Sequence, residues 1–172
     1  MISFKSFRFI GLFVIVFGYS CSNSKMTNHA LEDGIYLVKE FVSDTMNIRK
    51  LTSNEQLINY NPKFTNDSSN DYSKLIVSTD QFVALRLKRS PETQTEPDNR
   101  KILLLDFHDD QAKKLYEFTA NHIMQKVAIV IGTEGVSVHK IRTAITGGKL
   151  QITRCTDNGC ERLYYELEHD VK

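Results

Sequence analysis

The pattern of apolar and polar residues divides this chain into three parts. An apolar run from Phe9 to Phe17 follows a start that contains basic residues and no acidic one. The stretch after Cys21 is polar, and the first segment rich in β-forming residues begins at Gly34. We therefore expect an export signal at residues 1–20, a flexible tether at 21–33 and a single folded domain at 34–172.

The first half of the domain has the composition of strands separated by polar loops. Segments rich in β-forming or apolar residues lie at 35–42, 54–60 and 74–77. Residues 78–88 allow two interpretations, because Ser78 to Asp80 suits a helix cap, whereas apolar residues at every second position from Val83 suit a strand. The prolines and acids of residues 91–100 predict a mobile polar loop.

The second half alternates between strand and helix patterns. Residues 101–107 are a nearly continuous apolar run, which is typical of a central strand. Asp109 is placed to cap a helix over residues 110–124. The apolar stripe of that helix comprises Ala112, Leu115, Tyr116, Phe118, Thr119 and Ile123. Further strands are predicted at residues 126–131, 136–138 and 149–154.

Two more helical segments accompany these strands. Residues 140–145 suit a short helical turn that ends at Gly147 and Gly148. A last helix, capped by Thr156 or Asp157, has an apolar stripe of Cys160, Leu163, Tyr164, Leu167 and Val171. Because each helix has one apolar face, the expected fold class is α+β, with a single, mostly antiparallel sheet and the helices on one face.

The charge of the chain is close to balanced, with 22 basic and 21 acidic residues. Removal of the signal takes away Lys5 and Arg8, which leaves no long-range attraction to nucleic acid. One basic cluster, Arg86 to Arg89, is followed closely by acids at Glu92 and Glu96. We interpret this cluster as a solvated strand end and expect no nucleic-acid partner.

The signal ends in a motif that is informative about location. Gly18-Tyr19-Ser20-Cys21 resembles the lipobox of bacterial lipoproteins, with Tyr19 where a smaller residue is usual. The resemblance implies cleavage before Cys21 and a lipid anchor on Cys21. Since no Asp follows Cys21, we expect an envelope lipoprotein in the outer membrane, facing the periplasm. Plain secretion and an uncleaved anchor are the alternatives, although the apolar run is short for a membrane span.

Two further cysteines remain if Cys21 carries a lipid. Cys155 and Cys160 are an even pair in an oxidising compartment, which favours a disulfide between them. Their close spacing makes the entropic stabilisation from such a bridge small. Two free thiols are the alternative, because spacing alone does not fix the geometry that a disulfide needs.

The segment from Asp109 to Tyr165 resembles the head of the first periplasmic domain of SecD, a subunit of the bacterial protein-export machinery. Four stretches carry the resemblance in order: a helix ending in Phe118-Thr119 and Asn121, the apolar strand at 127–131, Val136-Ser137-Val138 followed by Gly147-Gly148, and Leu150-Gln151-Ile152-Thr153 before the last helix. Residues 101–107 match the strand that precedes the family's first helix. The similarity extends more weakly over about 78–170, and His139 stands where the family usually has proline.

The resemblance implies a ferredoxin-like C-terminal half and a head that contacts unfolded chains leaving the export channel. The proton-driven membrane helices of SecD are not expected here, because no further long apolar run follows the signal. We predict a non-enzymatic lipoprotein that binds polypeptide through a sheet face or an exposed edge strand. Its expected partners are the membrane, through Cys21, and unfolded or envelope proteins. A structural subunit of a larger envelope complex is the alternative.

Few residue patterns point to catalysis or metal binding. The histidines are His29, His108, His122, His139 and His169. We interpret the densest sets, His108-Asp109-Asp110 and then Cys155, Cys160 and His169, as caps or solvated residues rather than metal ligands. Ser137 and His139 share one face of a strand, which leaves a small hydrolase as the least favoured hypothesis. No catalytic residue, metal or cofactor is expected.

Overall fold

A computed structural model describes residues 31–43, 46–61, 72–99, 101–152 and 159–168. The elements in chain order are β1 (Gly34–Val42), β2 (Glu55–Tyr60), β3 (Lys74–Ala84), β4 (Glu92–Thr95), β5 (Lys101–Asp106), α1 (Asp109–Asn121), β6 (Lys126–Ile131), β7 (Glu134–Lys140), β8 (Lys149–Ile152) and α2 (Gly159–Leu167). Among these strands, β2 and β7 pair in parallel and the other pairs are antiparallel. The α+β class and the mostly antiparallel pairing are confirmed.

Five of the strands close into a small barrel in the order β1-β3-β2-β7-β6. Alternate residues of a strand point to opposite sides, so each strand supplies one row of side chains to the interior. The interior cluster comprises Tyr36, Ile58, Tyr60, Leu75, Val77, Ala128 and Val130. Gly135 completes the barrel where β7 pairs with Tyr60, because a Cβ at this position would stand 3.0 Å from Leu75 Cδ1. The missing side chain therefore leaves room for Leu75 of β3 in the barrel interior.

The other three strands form a second sheet in the order β4-β5-β8. The inner row of β5, with Leu103 and Leu105, belongs to a large buried cluster that we call the main core. The outer side of the barrel contributes Ile35, Leu37, Val83, Leu85, Val127, Ile129 and Val136 to the main core. The helices contribute Leu115 and Phe118 of α1 and Cys160, Leu163 and Leu167 of α2. Both helices thus pack on the same core.

The expectation of a single sheet is wrong, because β5 pairs with β4 and β8, whereas β6 pairs with β1 and β7. The ferredoxin-like detail of the C-terminal half is not confirmed for the same reason. The cause lies in strands that are apolar on both faces. In β1, Tyr36 faces the barrel interior while its neighbours Ile35 and Leu37 face the main core. An apolar barrel exterior needs a second layer to cover it.

The two interpretations of residues 78–88 are resolved in favour of a strand. β3 continues without interruption from Lys74 to Ala84 and pairs with both β1 and β2. Ser78 is buried, and its hydroxyl donates a hydrogen bond to Asp80 Oδ1 at 2.6 Å instead of capping a helix. The alternating apolar residues Val83, Leu85 and Leu87 all reach the main core. Pairing on both sides of the strand therefore outweighs the local capping signal.

Two further expectations, a polar loop and a short helical turn, are wrong. Residues 91–100 include the strand β4, which pairs with β5 from Glu92 to Thr95. The helical turn expected at residues 140–145 is absent, because Lys140 ends β7 and residues 141–145 are not helical. Their backbone groups bond to the neighbouring elements instead, since Ile141 N donates to Gln125 O at 3.0 Å and Ile145 N donates to Thr119 Oγ1 at 2.9 Å. These external partners replace the bonds that a helical turn would have made within itself.

The helix α1 differs in detail from the expectation. It begins at Asp109, so His108 and not Asp109 is the N-cap residue, and His108 makes no side-chain capping bond. The helix ends at Asn121, and Tyr116 and Ile123 of the expected apolar stripe are each 47% exposed. Gln111 is buried in their place. The buried face of α1 is therefore rotated about the helix axis relative to the face that the apolar pattern predicted.

The ends of several predicted segments lie outside the described residues. These are the signal at residues 1–20 with Cys21, most of the tether, Arg154, Cys155, Thr156, Asp157 and Val171. The last residues of the tether are described and already contact the domain. Asp33 Oδ1 accepts a hydrogen bond from Gly132 N at 2.6 Å, and Arg86 Nη2 lies 2.9 Å from Glu32 Oε1. The folded part therefore starts a few residues before Gly34.

A three-residue ionic cluster ties the β1–β2 connection to both strands. Arg49 donates two hydrogen bonds of 2.7 Å to Glu55 and one of 3.0 Å to Glu40. The Glu55 side chain is only 10% exposed. The hydrogen bonds from Arg49, followed by the one from Thr52 N, lower the pKa of Glu55 from 4.5 to about 2. The carboxylate is thus held in its charged form in the folded protein.

We predict that Gly148→Ala destabilises the fold more than Gly147→Ala. Both glycines have positive φ, 66° at Gly148 and 74° at Gly147, which costs a side chain about 1–2 kcal/mol. A Cβ at Gly148 would also stand 2.5 Å from Ala112 Cβ, whereas a Cβ at Gly147 meets nothing within 4 Å. We expect this overpacking to raise the loss to about 2–4 kcal/mol, measured by urea unfolding. Equal losses for the two variants would contradict the close approach of α1 and residue 148.

We predict that Glu55→Gln destabilises the protein near neutral pH but not in strong acid. The folded pKa of Glu55 lies below the unfolded value of 4.5, so its stabilisation is present above 4.5 and is lost as the pH falls toward 2. The difference in melting temperature between wild type and variant should therefore shrink over that range. Glu117→Gln is the control, because the nearest Lys113 ammonium is 3.9 Å away and exposed. A difference that persists unchanged at pH 2 would refute the assignment.

Candidate functional site

The second sheet ends in the edge strand β4. β4 pairs with β5 on one side, and no other described strand pairs with it on the other. Its four residues, Glu92 to Thr95, are all exposed. The five barrel strands form a closed ring, in which β2 and β7 are joined by a short parallel pairing at Asn59 and Tyr60. An edge strand presents backbone N–H and C=O groups that can accept the strand of another chain.

The residues on both sides of β4 explain why the strand is short. Pro91 precedes it and Pro97 follows it, and a proline has no N–H to contribute to a ladder. Arg89 holds the start of the strand, since its guanidinium lies 2.7 Å from Glu92 Oε1 and 3.2 Å from Asp106 Oδ2. Threonines at alternate positions are the sequence signal for this strand, and the surrounding prolines and acids conceal it.

The two faces of β4 differ in what they meet. Thr93 stands opposite Leu103, so it shares the inner face of the sheet. Gln94 stands opposite Ile102 on the outer face. The helix α2 packs against β4 and β5, and its buried residues Cys160, Leu163 and Leu167 lie in the main core. The helix supports the strand from one side and leaves the edge itself uncovered by any described element.

The sheet has a second edge at β8, which is less open. This strand begins directly after Gly148, where a side chain would collide with Ala112 of α1. Phe107 N donates a hydrogen bond to Gly148 O at 2.9 Å. This bond connects the residue after β5 to the residue before β8. The helix α1 thus stands beside the start of β8. Of the two edges, β4 is the one whose side chains are exposed along its whole length.

The basic cluster at residues 86–89 is neutralised by neighbouring acids. Arg86 pairs with Glu32 at 2.9 Å, and Lys88 Nζ lies 2.5 Å from Asp109 Oδ1. Hydrogen bonding to Glu32 raises the pKa of Arg86, and hydrogen bonding to Asp109 raises the pKa of Lys88. With Arg89 also paired, the three cations face acids instead of forming a surface for phosphates. The interpretation as a solvated strand end fits this arrangement.

Ser137 and His139 are close, but their arrangement does not favour a nucleophile. His139 Nε2 lies 3.2 Å from Ser137 Oγ on the same face of β7. Ser137 is fully buried, and it stands opposite Ile129 in the barrel wall. A substrate carbonyl could reach this hydroxyl only by displacing packed strands. The geometry therefore fits a structural hydrogen bond rather than a hydrolase site.

The other residues considered for chemistry are dispersed. His122 Nδ1 lies 2.7 Å from Phe118 O at the end of α1, which suits a helix C-terminus. Asp109 and Asp110 occupy the first turn of α1, where negative charge is favourable. Within the described ranges, no group of three His, Cys, Asp or Glu residues is placed to hold a metal ion. His29 and His169 lie outside the described residues.

Cys160 is fully buried in the main core and is disulfide-bonded. Its expected partner, Cys155, lies outside the described residues, so the pairing of these two cysteines stays a prediction. The lipidation of Cys21 stays a prediction for the same reason. In the described parts of the chain, neither helix has the length and apolar character needed to cross a membrane.

Comparison with known proteins identifies the family. Residues 63–168 match the family described as "SecDF, P1 head subdomain". No curated protein matches the chain. One solved structure, "Structure and function of a membrane component SecDF that enhances protein export", is 25% identical, with a TM-score of 0.42 over 48% of this chain and 38% of that one. Another, "Crystal structure of SecDF in Super-membrane-facing form", is 25% identical, with a TM-score of 0.43 over 51% of this chain and 12% of that one.

The chain therefore spans well under two thirds of either SecDF structure that it matches. The family match is broader with respect to this chain, because it begins within the β2–β3 connection and ends beyond α2. It contains the edge strand β4, the whole second sheet and both helices. The resemblance to the SecD head is confirmed, and the chain belongs to the SecDF P1 head subdomain family.

Proposed function

We propose that this protein is a lipid-anchored envelope protein that binds extended polypeptide by adding it as a strand to β4. The observation that carries the proposal is the exposed edge strand β4 of the second sheet. Membership of the SecDF P1 head family supports a location facing the periplasm and a partner that is an exported, unfolded chain. The protein binds and does not catalyse.

The length of β4 sets the strength of the contact. In an antiparallel ladder every second residue turns its N–H and C=O toward a given neighbour, so four residues offer about two outward-facing pairs. Each backbone hydrogen bond contributes about 0.5–1.5 kcal/mol net. A handful of such bonds makes a weak, rapidly reversible contact. Weak, reversible binding suits a partner polypeptide that must be released after it has bound.

The side chains of β4 impose little selection on the partner. Thr93, Gln94 and Thr95 are uncharged, and Glu92 is already paired with Arg89. Backbone hydrogen bonds are available to any extended sequence, so binding would tolerate a wide range of residues. The short length and the bracketing prolines also limit pairing between copies of the edge. The strand therefore combines an accepting backbone with protection from aggregation.

The anchor and the disulfide complete the proposal. A lipid on Cys21 would hold the domain in the outer membrane facing the periplasm, and a bridge between Cys155 and Cys160 would join α2 to the segment after β8. The disulfide state of Cys160 and the polar residues after Cys21 support these assignments. Residues 34–172 then act as one binding domain on a tether.

We predict that one of the two variants Thr93→Pro and Gln94→Pro weakens binding without lowering stability. Neighbouring residues of β4 turn their N–H groups to opposite sides, so one proline removes a bond to β5 and the other removes a donor that faces solvent. The variant that keeps its melting temperature should bind a reduced, fluorescently labelled unfolded polypeptide about fivefold more weakly, in line with ~1 kcal/mol per hydrogen bond. Fluorescence anisotropy measures the affinity.

The paired variants control each other, because the remaining proline should lower the melting temperature by breaking the β4–β5 ladder. Wild-type affinity in the stable variant would refute β4 as the binding edge. Photo-crosslinking from position 94 in intact cells separates the alternative of a structural subunit. Many heterogeneous products support polypeptide binding, whereas one defined product would show a fixed envelope partner.

A further inference from the structure

The C-terminal end of α1 exposes a group of apolar side chains. Tyr116 and Ile123 are each 47% exposed, and Met124 is 61% exposed. Tyr116 lies in the second half of α1, whereas Ile123 and Met124 are neighbours in the turn that follows Asn121, where the helix ends. Exposed apolar residues that adjoin one another, instead of being scattered, mark surfaces that meet another apolar phase.

Met124 is held in this position by an unusual backbone conformation. Its φ is +69°, in the left-handed region that side chains other than glycine rarely adopt. Met124 N donates to Ile141 O at 2.8 Å, and Gln125 N donates to His122 O at 3.0 Å. These bonds maintain the conformation and leave the thioether side chain in solvent. A disfavoured backbone that presents an exposed methionine indicates a functional constraint at this point.

Basic residues border the apolar group. Lys126 and Lys140 stand directly opposite each other in the β6–β7 ladder, an arrangement in which like charges repel. The Lys126 ammonium lies 4.3 Å from the centre of the Phe41 ring. Arg142 follows Ile141, whose backbone bonds to Met124 and Gln125. Neither Lys140 nor Arg142 forms an ion pair with any residue in the described part of the chain.

We propose that this basic–apolar end, formed by Tyr116, Ile123, Met124, Lys126, Lys140 and Arg142, docks on an anionic phospholipid bilayer. Aliphatic and thioether side chains would enter the boundary between headgroups and acyl chains, and the tyrosine ring would lie at the headgroup level. The ammonium and guanidinium groups would remain among the lipid phosphates, which relieves the repulsion between Lys126 and Lys140. Each feature that is unfavourable in water is favourable at such an interface.

The position of the surface relative to the chain entry favours a bilayer over an acidic peptide. Asp33, the last residue before β1, bonds to Gly132, which lies six residues along the chain from Lys126, about 20 Å at the rise of a strand. Nine residues, the number from 22 to 30, span up to about 30 Å when extended. An anchor at Cys21 therefore allows this end of the barrel to reach the same membrane. The proposal uses the anchor for proximity only and is independent of β4.

The chain contains no tryptophan, so the fluorescence of a single introduced tryptophan reports the environment of that position alone. The full-length protein with Ile123→Trp is reconstituted in vesicles of phosphatidylcholine alone, or of phosphatidylcholine with phosphatidylglycerol. Phospholipids with brominated acyl chains then quench any indole that enters the bilayer. We expect blue-shifted, strongly quenched emission in the anionic vesicles and weak quenching in the neutral ones. Both preparations carry the same N-terminal segment, so the anchor is constant.

Two sets of controls make the result decisive. Tyr165→Trp places the reporter at an exposed position of α2 and should be quenched in neither vesicle. Lys140→Gln and Arg142→Gln should each weaken docking about fivefold in the anionic vesicles, while Lys50→Gln should not. If Ile123→Trp does not fold, judged by circular dichroism, Tyr116→Trp replaces it. Equal quenching at position 165, no quenching at position 123, or a shift with an acidic peptide but not with vesicles would each overturn the proposal.

Discussion

Burial of both faces of the barrel strands is the constraint on which this structure depends. β6 turns Ala128 and Val130 into the barrel and Val127 and Ile129 outward into the main core. An uncovered exterior would leave that outer row in water, at a cost that grows with its apolar area. The three-stranded sheet and the two helices cover the row. The second layer is therefore a consequence of residues in the first.

Closure of the barrel also decides where a partner strand can be accepted. Each barrel strand has a neighbouring strand on both sides, whereas the small sheet has two outer strands. One of its edges starts where α1 meets Gly148, and the other is the exposed strand β4. The packing that covers the barrel thus also creates the edge, because a sheet of three strands cannot close on itself. The proposed binding strand is a by-product of how the core is covered.

The two surfaces that we assign to partners work through different physics. β4 offers backbone hydrogen bonds and uncharged side chains, so it suits partners of any sequence. The basic–apolar end offers side chains, with charge beside exposed hydrocarbon, so it suits an amphiphilic phase. Neither surface shares a residue with the other. A domain with this arrangement can lie against a membrane while its edge strand remains available.

The periodic spacing of apolar residues predicted much of the fold. The strand patterns of residues 35–42 and 126–131, and the stripe Cys160, Leu163 and Leu167, predicted the elements that the structure contains. Where the local sequence pattern predicted the wrong structure, hydrogen bonds to residues distant in sequence had replaced those within the segment. Ile145 N bonds to Thr119 instead of forming a helical turn, and the polar residues of β4 form a strand because β5 lies beside them.

The candidate binding surfaces were likewise only partly predictable from the sequence. An edge strand was anticipated as a class of site, but its location at β4 and the exposure of Tyr116 and Ile123 were not. The sequence by itself determined which residues are apolar enough to be buried and which segments form strands or helices. The spacing of apolar residues indicates which side of a strand or helix faces a core. Only the tertiary structure decided which strands pair, how many sheets form and which edge stays open. Backbone hydrogen bonds select partners by geometry and not by residue type.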